Sequence, residues 1–223
     1  MKRVYVLCEG STERTFIREV LQPEYATLHL IPVLPGHSSA PARHGGNIRY
    51  ARIRPELLNL LKMDPAGFCT TMLDFYALGQ GFPGRDSSKG KSPLDRGCMI
   101  EQAMEQDITA AMGHGFDNSR FRAYLSMHEF EALLFSNPVR LADALGRPEA
   151  AGTLLSIRAE FTTPEDINDD VLTAPSKRLQ QVFRRYDKVV GGNVAALSVG
   201  VEAMRRECPH FSQWLGWFDN LAH

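Results

Sequence analysis

The chain has 223 residues, 43% of them hydrophobic and 23% charged, with a formal net charge of −1. Such proportions belong to one large globular domain, or to one domain with a substantial appendage, and the near-neutral balance confines any nucleic-acid surface to a local patch. No apolar run approaches the roughly 20 residues needed to span a bilayer, and the short amino-terminal run ends at Glu9, unlike a signal peptide, so the expected location is cytoplasmic.

Residues 2–8 read as a first strand and 12–22 as a first helix, with apolar Phe16, Ile17, Val20 and Leu21 at helical spacing. Between them, Gly10 is expected to permit a tight turn and Ser11 or Thr12 to cap the helix, which carries Glu13 in its first turn. Thr27 to Leu34 alternates and is rich in branched residues, a second strand, followed by a loop over Pro35 to Gly46. Ile48 to Met63 has helical spacing, and Phe68 to Leu73 is a third apolar strand ending at Asp74. A long polar loop, Gly79 to Pro93, precedes an amphipathic helix over Asp95 to Met112, with Ile100, Ala103, Met104, Ile108 and Ala111 on one stripe and Glu105 as an ordinary helix acid. Phe121 to Met127 forms a fourth strand, followed at once by His128-Glu129-Phe130-Glu131 and a short apolar helix. Alternation of strands and helices predicts an α/β fold with a mostly parallel sheet over residues 1–137. Residues 138–223 carry no convincing strand and read as a helical carboxyl-terminal extension packed on that domain.

Cys8, Cys69, Cys98 and Cys208 are scattered without a Cys-x-x-Cys pair, which argues against zinc or a disulfide framework. Cys8 and Cys69 fall in strand patterns, as small core residues do.

The acids carry more. Glu9, Asp74, and Glu129 with Glu131 all follow strands, where the crevice of an open α/β sheet lies. Acids after strands also cap helices and complement helix dipoles, and Glu13 suits that role unaided. Glu9 and Asp74 stop a burial pattern, however, and neighbouring parallel strands would bring their carboxylates together. Such a cluster repels itself unless a cation or a shared proton offsets the charge. Hard oxygen donors with no softer ligand among them suit Mg2+, or Mn2+ in its place.

Glu9-Gly10-Ser11-Thr12-Glu13 after an apolar strand resembles the signature of Toprim domains, particularly the OLD-type nuclease branch. The resemblance implies a Toprim-like, Rossmann-like sheet. It also implies metal-dependent cleavage of nucleic-acid phosphodiesters, with Glu9, Glu13, Asp74 and one of Glu129 and Glu131 as metal ligands. Where that branch has Asp-x-Asp, this chain reads Asp74-Phe75-Tyr76, so the second acid is a tyrosine. The segments His128 to Phe135, Pro175 to Leu179 and Tyr186-Asp187-Lys188 resemble small RloB-like bacterial Toprim proteins, a likeness that covers nearly the whole chain. Such proteins imply antiphage defence beside a separate ATPase. A lysine after the core serves the phosphate in OLD-type nucleases, with Lys177 the first candidate here and Lys188 the second.

Other motifs fail. Gly79-Gln80-Gly81-Phe82-Pro83-Gly84 fits a dinucleotide fingerprint but opens no helix, and Gly90-Lys91-Ser92 has Arg85 where a P-loop needs glycine. His128-Glu129 lacks the second histidine of a zinc protease, because position 132 is alanine. Arg49, Arg52, Lys177, Arg178 and Lys188 are candidate nucleic-acid contacts, although solvated helix faces carry similar charges. Phe211, Trp214, Trp217 and Phe218 could form a face for the partner ATPase, or dock the tail on the core. The favoured reading is a metal-dependent nuclease. The alternatives are a non-catalytic module that binds nucleic acid or an ATPase, and a small-molecule phosphohydrolase or phosphotransferase.

Overall fold

The computed structural model describes residues 1–36, 48–167 and 173–223; most of the loop expected over Pro35 to Gly46 lies outside them. Strands β1 (Lys2–Cys8), β2 (Leu28–Val33), β3 (Phe68–Asp74), β4 (Phe121–Arg122) and β5 (Leu125–Ser126) form one parallel sheet. Its order is β2-β1-β3-β4, with β5 also on β3. Val4 lies opposite Leu30 on one side and Phe68 on the other. Period-two alternation divides β1 between two cores: Val4, Val6 and Cys8 face one, Leu7 the other. Burial on both faces is what makes these strands read as nearly continuous apolar runs.

One face is covered by α2 (Tyr50–Met63) and α3 (Pro93–Met112), through Ile53, Leu57, Ile100, Met104 and Ile108. The other packs against α1 (Ser11–Thr15), its π-helical continuation Phe16–Leu21, and helices from the carboxyl-terminal part. Those are α4 (Pro138–Ala144), α5 (Ala151–Ala159), α6 (Pro175–Val182), α7 (Val190–Val199), α8 (Val201–Glu207) and α9 (Pro209–Ala222). Phe16, Phe130, Leu141, Met204 and Phe211 share one continuous apolar cluster with β1.

Four local expectations change. Gly10 is the N-cap with φ −151°, an extended backbone open to any residue, and the Glu13 carboxylate accepts from its N–H at 2.9 Å. Neither Ser11 nor Thr12 caps the helix. The fourth strand breaks into β4 and β5, because the Thr71 hydroxyl replaces the ladder there: it accepts from Tyr124 N at 2.9 Å and donates to Tyr124 O at 2.8 Å. Glu105 and Glu101 of α3 accept from Ala123 N at 3.0 Å and Leu125 N at 2.7 Å, so Glu105 is a structural acid rather than an ordinary one. Finally, the aromatic tail docks on the core. Phe211, Trp214 and Phe218 are buried, and the Trp214 indole N–H donates to Thr70 Oγ1 at 2.8 Å while its ring stacks on Tyr124 at 4.3 Å. Only Trp217 among the four is half-buried, edge-on to Phe68.

Candidate functional site

From β1 the chain turns to β2 on one side, then returns to β3 on the other. Connections therefore diverge between the carboxyl ends of β1 and β3, the switch point at which open α/β sheets bind ligands. Glu9 leaves β1 and Asp74 ends β3 there, and Glu9 Oε2 accepts from Asp74 N at 3.0 Å. Asp74 Oδ1 in turn accepts from Phe130 N at 2.9 Å, which fixes the start of the 3-10 helix Phe130–Ser136 and swings Glu131 inward.

Lys188 reaches this cluster from the segment before α7. Its ammonium lies 3.3 Å from Asp74 Oδ2 and 3.2 Å from Glu131 Oε2. The Tyr186 hydroxyl donates to Glu131 Oε1 at 3.3 Å. Glu129 Oε2 accepts from Ser176 N at 2.9 Å, complementing the positive end of α6, while its charge still acts on Glu9, Glu131 and Lys188. Hydrogen bonds thus join the strand ends to His128–Phe135, Pro175–Leu179 and Tyr186–Lys188, segments far apart in sequence.

Several buried acids share one half-buried lysine, and their protonation reflects it. Burial raises Glu9 from 4.5 to about 7, with Glu13 and Glu129 adding to the rise while the Asp74 N–H and Lys188 oppose it. Burial likewise lifts Glu131 to about 7 against the pull of Lys188. Asp74 stands well above the usual carboxylate range for the same reason, and burial raises Glu13 too. Burial opposes the Lys188 charge, but Asp74 and Glu131 outweigh it and hold the ammonium protonated.

The family described as "Domain of unknown function (DUF4276)" matches residues 8–219. The chain belongs to that family. Two solved structures of the C-terminal region of the Xanthomonas campestris pv. campestris OLD protein are similar to it, one phased with iodine and one with platinum. Their TM-scores are 0.45 and 0.36, each at 15% identity over 100% of this chain and 96% and 98% of theirs. No curated protein matches.

In this DUF4276 chain, Glu9, Glu13, Asp74, Glu131 and Lys188 come together, and Glu129 lies at their edge. The other candidates do not join them by any contact described. Lys177 is exposed and donates to Gln180 Oε1 at 3.3 Å. Arg178 donates to Thr173 O at 2.9 Å and lies over the Phe161 ring at 5.1 Å, a packing role. Exposed Arg52 donates to the carbonyls of Pro35 and Gly36, and exposed Arg49 is the N-cap of α2. Tyr76, where the second Asp was expected, is 42% exposed, its ring 5.2 Å from that of His128. His128 is buried at φ 63°, and its carbonyl accepts from Tyr76 N at 3.2 Å.

Sequence reasoning named Tyr186 only within the Tyr186-Asp187-Lys188 segment and gave it no role at the site, and it missed the arginines that line a cavity beside Phe75 and Tyr76. Arg85 and Arg96 line a cavity of about 200 Å³ with Phe75, Tyr76, Leu78 and Ile100. Arg96 lies over the Phe75 ring at 5.2 Å.

The raised carboxyls imply a pH dependence. Glu9 and Glu131 bind protons more tightly folded than unfolded, so the folded state holds more protons between 4.5 and about 7. Their contribution to stability is present at low pH and is lost as pH rises through about 7. The Tm of the metal-free protein is expected to fall from about pH 5 to about pH 8, and Glu9→Gln to shallow that slope. Thermal unfolding of both proteins across this range checks it; identical slopes would show that Glu9 is not the source. His210, held up to about 10 by Cys98 and Glu101 against the pull of burial, adds a slope of the same sign, which the difference between the two proteins cancels.

Proposed function

We propose that this protein is a metal-dependent nuclease that cleaves nucleic-acid phosphodiesters at the switch point between β1 and β3. The observation that carries the reading is the gathering of three acids: Asp74 and Glu131 meet on the Lys188 ammonium, and Glu9 is joined to Asp74 through its backbone N–H. Fully ionised, they carry more charge than one lysine neutralises, and all their donors are hard oxygens, so the set fits Mg2+ or Mn2+. Glu9 and Asp74 would hold the ion, with Glu13 and Glu131 in support. Bound there, it would activate water and neutralise charge building on the phosphate.

The chain's own residues supply the rest. In the metal-free protein burial keeps the Glu9 and Glu131 carboxyls partly protonated at neutral pH, and a bound divalent cation would displace those protons. Lys188 carries the positive charge that a phosphate oxygen needs, and Asp74 anchors it through its second oxygen. Antiphage defence beside a separate ATPase rests on the Toprim and RloB-like resemblance alone.

A non-catalytic nucleic-acid-binding module is the second reading. It is favoured by Tyr76 in place of the second Asp, and by Lys188 bridging Asp74 and Glu131 as an internal counterion. End-labelled DNA and RNA incubated with the purified protein, with and without magnesium, separate the two. Magnesium-dependent cleavage is expected; retention of the nucleic acid without cleavage would favour the module.

A further inference from the structure

Away from the acid cluster, α3 meets α9 beside β5, and a mixed donor set forms there. Cys98 and Glu101 stand one turn apart on α3, and His210 lies in the first turn of α9. Among the described residues, this is the group whose sulfur, carboxylate and imidazole donor atoms all lie within 4.8 Å of one another. His210 Nε2 is 2.9 Å from Glu101 Oε1, and His210 Nδ1 is 4.0 Å from Cys98 Sγ.

The surroundings hold these donors in place. Glu101 Oε1 also accepts from Leu125 N at 2.7 Å. The Glu165 carboxylate accepts from the backbone N–H groups of His210 and Phe211 at 2.9 and 2.8 Å, and so fixes the start of α9. The imidazole stacks on Tyr124 at 5.4 Å. Glu101 and His210 are 4% and 5% exposed, while Cys98 is partly exposed and offers a path in.

We infer that Cys98, Glu101 and His210 form a binding site for zinc or a similar thiolate-seeking divalent ion, separate from the acid cluster. Three protein donors of sulfur, nitrogen and oxygen type leave a fourth position open to water, a pattern that zinc accepts and magnesium disfavours. An ion bound there would take Cys98 as the thiolate and His210 as the neutral imidazole, so protons leave as it enters and uptake weakens at low pH. The ion would tie α3 to α9, which otherwise meet here through the His210–Glu101 pair.

The test uses the full chain stripped with a chelator and titrated with Zn2+ or Co2+. One ion per chain is expected, with a thiolate-to-cobalt charge-transfer band and a raised Tm. Cys98→Ser should abolish the band and weaken zinc binding at least about tenfold. Glu9→Gln/Asp74→Asn, altered only at the acid cluster, should retain both. Because Cys8, Cys69 and Cys208 are buried, alkylation of the folded wild type should fall on Cys98, and zinc should block it; this readout needs no variant. Wild-type protein that takes up no zinc would overturn the inference. So would unchanged binding in Cys98→Ser, or loss of binding in the acid-cluster variant. None of these outcomes depends on nuclease activity, so failure of the proposed function would leave this inference standing.

Discussion

Glu9→Gln is expected to lower magnesium-dependent cleavage of labelled nucleic acid by about a hundredfold or more, because cation-assisted activation and charge neutralisation supply several kcal/mol. The substitution preserves shape: the glutamine carbonyl oxygen can accept the Asp74 N–H that Glu9 Oε2 accepts now. What it removes is one negative charge among clustered acids. Folding should therefore survive, and the metal-free protein at slightly alkaline pH should melt no lower than wild type, since Glu13 and Glu129 lose a repelling neighbour. Glu202→Gln, on the exposed side of α8, is the matched control and should cleave normally. Glu105 would be a poor control because it holds Ala123 N. A Glu9→Gln protein that cleaves at the wild-type rate would remove the mechanism.

The sheet was largely legible because parallel strands buried on both faces must be apolar throughout, and β1 and β3 are. Glu9 and Asp74 were legible as the residues at which that pattern stops. The break between β4 and β5 was not, since the Thr71 side chain and two helix acids replace ladder bonds from positions remote in sequence. The tail aromatics have the same spacing whether they face solvent or a core. Only Thr70 and Tyr124, waiting on the sheet, decide that Trp214 is internal.

Within the site, the acids are legible as the ends of apolar strands, but nothing in the sequence tells which lysine reaches them. The Lys177 ammonium faces Gln180 at the surface, while Lys188 is carried inward by the turn before α7. The Cys98, Glu101 and His210 cluster was out of reach for another reason. Metal motifs are read as short spacings, and His210 stands 112 residues beyond Cys98 in the chain.

Lys188→Met should therefore separate from Lys177→Met in two measurements. The methionine keeps most of the apolar stem but leaves Asp74 and Glu131 without their cation. Removing one partner of a fully buried ion pair costs about 3–5 kcal/mol. Here the lysine side chain is 40% exposed, and its partners can take up protons instead, so about 1–2 kcal/mol is expected. That loss should grow as pH rises, because Asp74 and Glu131 are neutralised at low pH and charged and unpaired at high pH. Cleavage should fall by about 10²–10³, the scale of losing one group that stabilises developing negative charge. Lys177→Met touches only Gln180 among these contacts and should leave both rate and stability essentially unchanged. Denaturant melts at two pH values and single-turnover cleavage of one labelled strand measure all of this. If Lys177→Met loses activity while Lys188→Met keeps it, the cation at the phosphate has been assigned to the wrong lysine. If Lys188→Met is destabilised but never had a cleavage rate to lose, Lys188 is a counterion in a binding module.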